Sequence, residues 1–126
     1  MARLVGLWAP VVGFMVAVLF LSDPVSLQTP QLVSDKILHF LAFGLFGVAN
    51  MRAFHGGFRR PAPAPTLAAL LLTAGFGAFD EWRQTFIETR YGSFADWVAD
   101  VAGGIAAYLG IFFYSLWHRG RNEHER

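Results

Sequence analysis

Apolar residues along this chain fall into four long blocks, not the alternating or one-faced patterns of soluble strands and helices. The blocks span 4–21, 37–54, 66–86 and 97–117. A helix that crosses a bilayer needs roughly 20 mostly apolar residues to traverse about 30 Å of hydrocarbon. Each block meets or approaches that length. Turn-forming residues separate them: Pro24 and Pro30, then Gly56, Gly57, Pro61, Pro63 and Pro65, then Gly92. The pattern predicts an all-α fold, a four-transmembrane-helix bundle forming a single domain over residues 1–126. A signal peptide is the rival reading of the first block, but no small-x-small cleavage pattern closes it. A soluble bundle would need polar helix faces, and 4–21 and 101–117 have almost none.

Composition agrees with the pattern. Of 126 residues, 55% are apolar and only 15% are charged, against about 25% charged in ordinary soluble chains. Ten Lys and Arg against nine Asp and Glu give a net charge of +1, which offers no basic field for nucleic acid. The absence of cysteine removes disulfides, thiol nucleophiles and Cys-ligated zinc together.

Charge placement then orients the bundle. With four crossings, Arg3, Arg52, Arg59, Arg60, Arg119, Arg121 and Arg126 share one side, and Lys36, Arg83 and Arg90 the other. Basic residues near helix ends stay cytoplasmic, so both termini are expected inside, with a polar pocket toward the extracytoplasmic face. Asp23, Asp35, Asp80, Glu81, Glu88, Asp96 and Asp100 fall at that outer end. The apolar run of the third block, 67–79, has 13 residues, about 20 Å of helix and too short to span. Its helix must therefore continue through Asp80, Glu81 and Gln84, about 10 Å inside the boundary. A charge at that depth costs roughly 2.5–3.5 kcal/mol on insertion scales, so these groups should turn inward and pair. Asp35 with His39, Asp80 with Gln84, and Asp96 with Asp100 are each four apart and share a helix face. Ala99, Gly103 and Ala107 continue the last of these as a stripe of small residues that admits close helix approach, and Gly75 and Gly77 are candidates for the same part on the third helix.

The segments DKILHFLAFGLFG (35–47) and DEWRQTFIETRYGSFADWVADVAGGIAA (80–107) together resemble the VanZ-like family of small bacterial membrane proteins. The shared features are Asp-Lys-x-x-His entering one helix and Asp-Glu-x-x-Gln ending the next. An Arg six residues later, an Asp six further on and a Gly-rich helix complete the pattern. The resemblance implies a multi-pass protein of the bacterial inner membrane and a link to the cell envelope. The family's namesake is associated with resistance to the glycopeptide teicoplanin. A wider grouping places such proteins beside enzymes that exchange or remove phosphate-linked lipid head groups.

The residues on their own suit that chemistry. Arg90 offers a bidentate phosphate contact and Lys36 a second positive charge. His39 is the candidate general base or nucleophile, oriented by Asp80, Glu81 or Asp96. Gln84 and Asp100 are expected to hold substrate geometry, and Asp35 and Gly103 to orient the site. The expected partners are membrane lipids or a lipid-linked envelope precursor. The bland alternative is a salt-bridge network of Asp80, Glu81, Arg83 and Arg90 that only fixes helix packing. A metal held by His39 and three carboxylates is chemically admissible, but no His-x-x-x-His or Cys spacing signals it, and no metal is expected. The cofactor and the oligomeric state are left open. A non-catalytic protein that binds lipid, antibiotic or a partner subunit through the same residues is the competing function. Trp97 is expected as an outer aromatic-belt anchor, with Tyr114 and Trp117 as inner ones.

Overall fold

A computed structural model describes residues 1–21, 35–87 and 92–124. Four α-helices make up nearly all of these: α1 (Ala2–Leu21), α2 (Asp35–Phe54), α3 (Pro63–Gln84) and α4 (Phe94–His124). The all-helical, four-helix expectation holds. By length and composition α1, α2 and α4 can each cross a membrane. The third helix has the length, 22 residues or about 33 Å, but ends in a turn bearing Asp80, Glu81 and Arg83. It begins three residues before its apolar block because Pro63 sits in the first turn, where a missing N–H costs no helical hydrogen bond.

The most extensive contact joins α2 to α4, and α3 packs against both. The first helix lies outside this trio: it rests mainly on α2, touches α3 slightly and does not reach α4 among the described residues. Phe43, Phe46, Phe76, Val11 and Ala53 form the core. Phe14 of α1 stacks on Phe46 with ring centroids 4.6 Å apart, and Phe46 meets Phe76 at 5.4 Å.

Glycine sets the α2–α4 separation. A Cβ on Gly103 would run into the Phe40 carbonyl oxygen and come within 2.8 Å of the Gly44 nitrogen. One on Gly47 would lie 3.0 Å from the Gly104 Cα and 3.0 Å from the Ala107 Cβ. Backbones can approach this closely only where both helices present small residues. On α3, Gly77 packs as expected, since a Cβ there would lie 2.8 Å from Asp100 Oδ2. Gly75 does not: nothing stands within 4 Å of its would-be Cβ. The buried line of α3 is Ala69, Thr73, Phe76 and Asp80, and Gly75 lies off that face.

Hydrogen bonds hold the end of the bundle that carries the amino terminus. Arg3 donates to the Gly56 carbonyl at 3.0 Å and Arg52 to the Gly6 carbonyl at 2.9 Å. In mid-bundle Asn50 Nδ2 donates to Thr73 Oγ1 at 2.9 Å, a buried α2–α3 link. Trp97 differs from its expected place as a belt anchor. It is half-buried, and its indole N–H donates to the Ala74 carbonyl at 3.0 Å, fastening α4 to α3. Tyr114 and Trp117 are exposed near the other end of α4.

Candidate functional site

Among the described residues, five of the eight buried polar side chains, Asp80, Glu81, Gln84, Asp96 and Asp100, lie at the end of α3 and the start of α4. His39 meets them from the first turns of α2. The close glycine contact brings the α2 and α4 faces together, so His39 Nδ1 lies 2.8 Å from Asp100 Oδ1. It also stands 3.9 Å from Glu81 Oε1, an ion-pair distance too long for a hydrogen bond. Asp100 is fully buried and the His39 ring 13% exposed. The carboxylate nearest His39 is thus Asp100, not Asp80, Glu81 or Asp96. Phe43 stacks beneath the imidazole, centroids 6.4 Å apart.

Of the other expected residues, Lys36, Asp80, Glu81, Gln84 and Asp96 gather at the same end of the bundle. Lys36 Nζ donates to Asp96 Oδ1 at 3.1 Å, with the lysine 58% exposed at the rim. Asp80 receives Arg83 at 3.1 Å on one oxygen and Gln84 Nε2 at 2.9 Å on the other. Glu81 Oε2 accepts the Ser93 backbone N–H at 2.6 Å and so ties the end of α3 to the start of α4. Gly92 permits that approach, because a Cβ there would collide with the Glu81 carbonyl. Asp35 is exposed in the first turn of α2, on the His39 side, and Gly103 acts through the helix separation rather than by contact with the polar groups. Arg90 and Glu88 lie outside the described residues.

The cluster has three chemical properties. First, it is a buried hydrogen-bonded imidazole–carboxylate pair; with Asp100 ionised, the proton sits on Nδ1 and Nε2 is the basic atom. Second, Lys36 stands at an exposed rim and, among the described residues, uses one of its three donors, on Asp96. Third, one ligand atom each from His39, Glu81 and Asp100 lie within 4.8 Å of one another, and the same is true of Asp35, His39 and Asp96. A cleft of about 560 Å³ lined by Phe58, Arg59, Arg60, Tyr114, Ser115 and His118 belongs to the opposite end of the bundle.

Sequence reasoning passed over His55, Gly44 and Gly47. His55 follows α2, where one ring nitrogen bonds the Met51 carbonyl at 2.8 Å and the other accepts the Ala62 N–H at 3.0 Å. Gly44 and Gly47 had a signal, the Gly-x-x-Gly spacing on the helix that carries His39.

No curated protein and no solved structure matches the chain at a significant level. The family model described as VanZ/LLP1 matches residues 11–118, from the middle of α1 to the exposed part of α4. That span contains the whole polar cluster and both glycine faces, and the chain belongs to the VanZ/LLP1 family.

Proposed function

We propose that this VanZ/LLP1 protein works as a single domain of the bacterial inner membrane, with both termini inside. Its polar end acts on the phosphate-linked head group of a membrane lipid or lipid-linked envelope precursor. The observation that carries the reading is the 2.8 Å His39–Asp100 pair, buried among further carboxylates near the mouth of helices that can span a membrane. Such a pair is expensive to bury unless it is compensated or used. In the proposed reaction His39 Nε2 takes the proton of a water or acceptor hydroxyl as that oxygen attacks phosphorus. The bond to the leaving oxygen breaks, and His39 returns the proton to it. Asp100 holds the ring and stabilises the imidazolium. Lys36 at the rim meets the phosphate, and Arg90 stands in the proposal as its second contact. Gln84 and Asp80 fix the end of α3, and Glu81 holds Ser93 at the start of α4 against it. Any link to teicoplanin resistance would follow from a change in such an envelope lipid.

Purified protein in vesicles carrying head-group-labelled phospholipids tests the reading. Release or exchange of label is expected, falling by roughly 10²–10⁴-fold in His39→Ala, the usual worth of a positioned acid–base group. Unchanged turnover in that variant removes the role of His39. Saturable lipid binding with no product across a broad lipid panel favours the non-catalytic reading. The paired Lys36–Asp96 and Arg83–Asp80 groups suit that alternative equally well.

A further inference from the structure

Among the described residues, charge balance at the polar end is incomplete. Lys36 offsets Asp96 and Arg83 offsets Asp80, each at 3.1 Å. Glu81 and Asp100 are left to share one imidazole. Both carboxylates are buried, at 8% and 0% exposure, and Glu81 Oε1 and Asp100 Oδ2 have no hydrogen-bond partner among the described residues. A buried carboxylate oxygen without a donor is among the most costly groups a membrane bundle can hold.

The geometry points to a divalent-cation site formed by His39, Glu81 and Asp100. Its donors come from three different helices and lie within 4.8 Å of one another. Bonds of about 2.0–2.2 Å to a first-row ion separate neighbouring ligands by about 3 to 3.5 Å. The observed 2.8 Å and 3.9 Å from His39 Nδ1 bracket that range. A +2 ion with two carboxylates and a neutral imidazole is electrically neutral, which removes the uncompensated charge. One nitrogen and two oxygen donors select Mn²⁺ or Zn²⁺ over Mg²⁺ and Ca²⁺, which prefer oxygen alone. The second three-residue group, Asp35, His39 and Asp96, is the weaker site: Asp96 is already engaged by Lys36 and Asp35 is exposed. A bound ion takes the place of the proton between His39 and Asp100, so the ion-bound and hydrogen-bonded forms are two states of one site. In the first, the ion polarises a phosphate oxygen and activates water in place of His39. That consequence rests on the head-group reading, whereas ion binding itself does not.

Metal-stripped full-length protein in nanodiscs is titrated with Mn²⁺, followed by the electron paramagnetic resonance of the free ion, and with Zn²⁺ against a chromophoric chelator. One ion per chain is expected, with a rise in unfolding temperature on loading. Glu81→Gln and His39→Gln should each weaken binding at least tenfold and abolish that rise, while Asp35→Asn leaves both intact. Wild-type protein that binds neither ion above the Glu81→Gln level overturns the site. So does equal loss in Asp35→Asn, or tighter binding of Mg²⁺ than of Mn²⁺ and Zn²⁺. The wild-type titration needs no variant to fold. Nor does any readout need a lipid substrate, so metal binding and head-group turnover succeed or fail separately.

Discussion

Two histidines show how the same side chain is put to different use. His55 has both ring nitrogens occupied by backbone groups, Met51 O and Ala62 N, so it locks the α2–α3 link. His55→Ala is expected to lower stability by about 1–2 kcal/mol, the worth of one or two net hydrogen bonds, and to leave lipid turnover unchanged. Thermal unfolding in detergent beside the turnover assay checks both halves. His39 has a carboxylate partner instead. Asp100→Asn should reduce turnover by roughly 10²–10⁴-fold because the ring loses the group that fixes and charges it. That His39 would lie among acids was legible in the sequence from the carboxylates spaced around it at helical intervals. The identity of its partner was not, since Asp80, Glu81, Asp96 and Asp100 all fall near the same depth. Which one meets the ring depends on how α4 is rotated and how closely it approaches α2, and no local spacing encodes that. The same reason hid which carboxylates stand beside His39 in the proposed metal site: its three donors are far apart in the chain.

At the level of helices, glycine contact decides the site. Gly103→Ala places a methyl against the Phe40 backbone carbonyl, which cannot yield as a flexible side chain would. The expected cost is about 1–3 kcal/mol, together with loss of the His39–Asp100 contact. Gly75→Ala, with nothing within 4 Å of its Cβ, should be neutral or slightly stabilising. Chemical unfolding of the two variants side by side checks the contrast, and equal effects would contradict it. The small-residue stripe of α4 was readable from its four-residue spacing, whereas its partners Gly44 and Gly47 carried only the weaker signal of a Gly-x-x-Gly spacing inside an apolar run. The misplacement of Gly75 has a similar origin. Glycine two residues from a packed glycine looks equivalent in sequence, yet lies about 200° away around a helix. Thr73→Val, which removes the buried Asn50–Thr73 bond, should cost about 0.6 kcal/mol and at most about 1.7, as cross-helix hydrogen bonds in membranes do.

At the scale of the whole molecule the bundle is polarised. Arginines gather at the end where the amino terminus, the α2–α3 link and the far part of α4 meet, while the buried acids and His39 occupy the other. Four helices and this separation follow from block lengths and charge positions, which is why both were legible. The peripheral place of α1 was not, because an apolar helix carries no sign of how much of its surface faces protein. Sidedness is open to direct measurement. The chain has no cysteine, so Phe86→Cys, exposed beside the polar cluster, should react with an impermeant thiol reagent on intact cells. Phe58→Cys in the α2–α3 link should react only after the membrane is opened, and the reverse pattern would invert the proposed orientation. The proposed head-group chemistry and the proposed ion binding both require His39 and Asp100 to meet in one enclosure. The most direct measurement is solid-state nitrogen-15 NMR of histidine-labelled, metal-free protein in lipid bilayers, with His39 assigned by His39→Gln. The His39 Nδ1 signal should shift in Asp100→Asn and stay in place in Asp35→Asn. A His39 signal indifferent to Asp100 would mean that the two do not meet in the membrane, and the account would fail at its base.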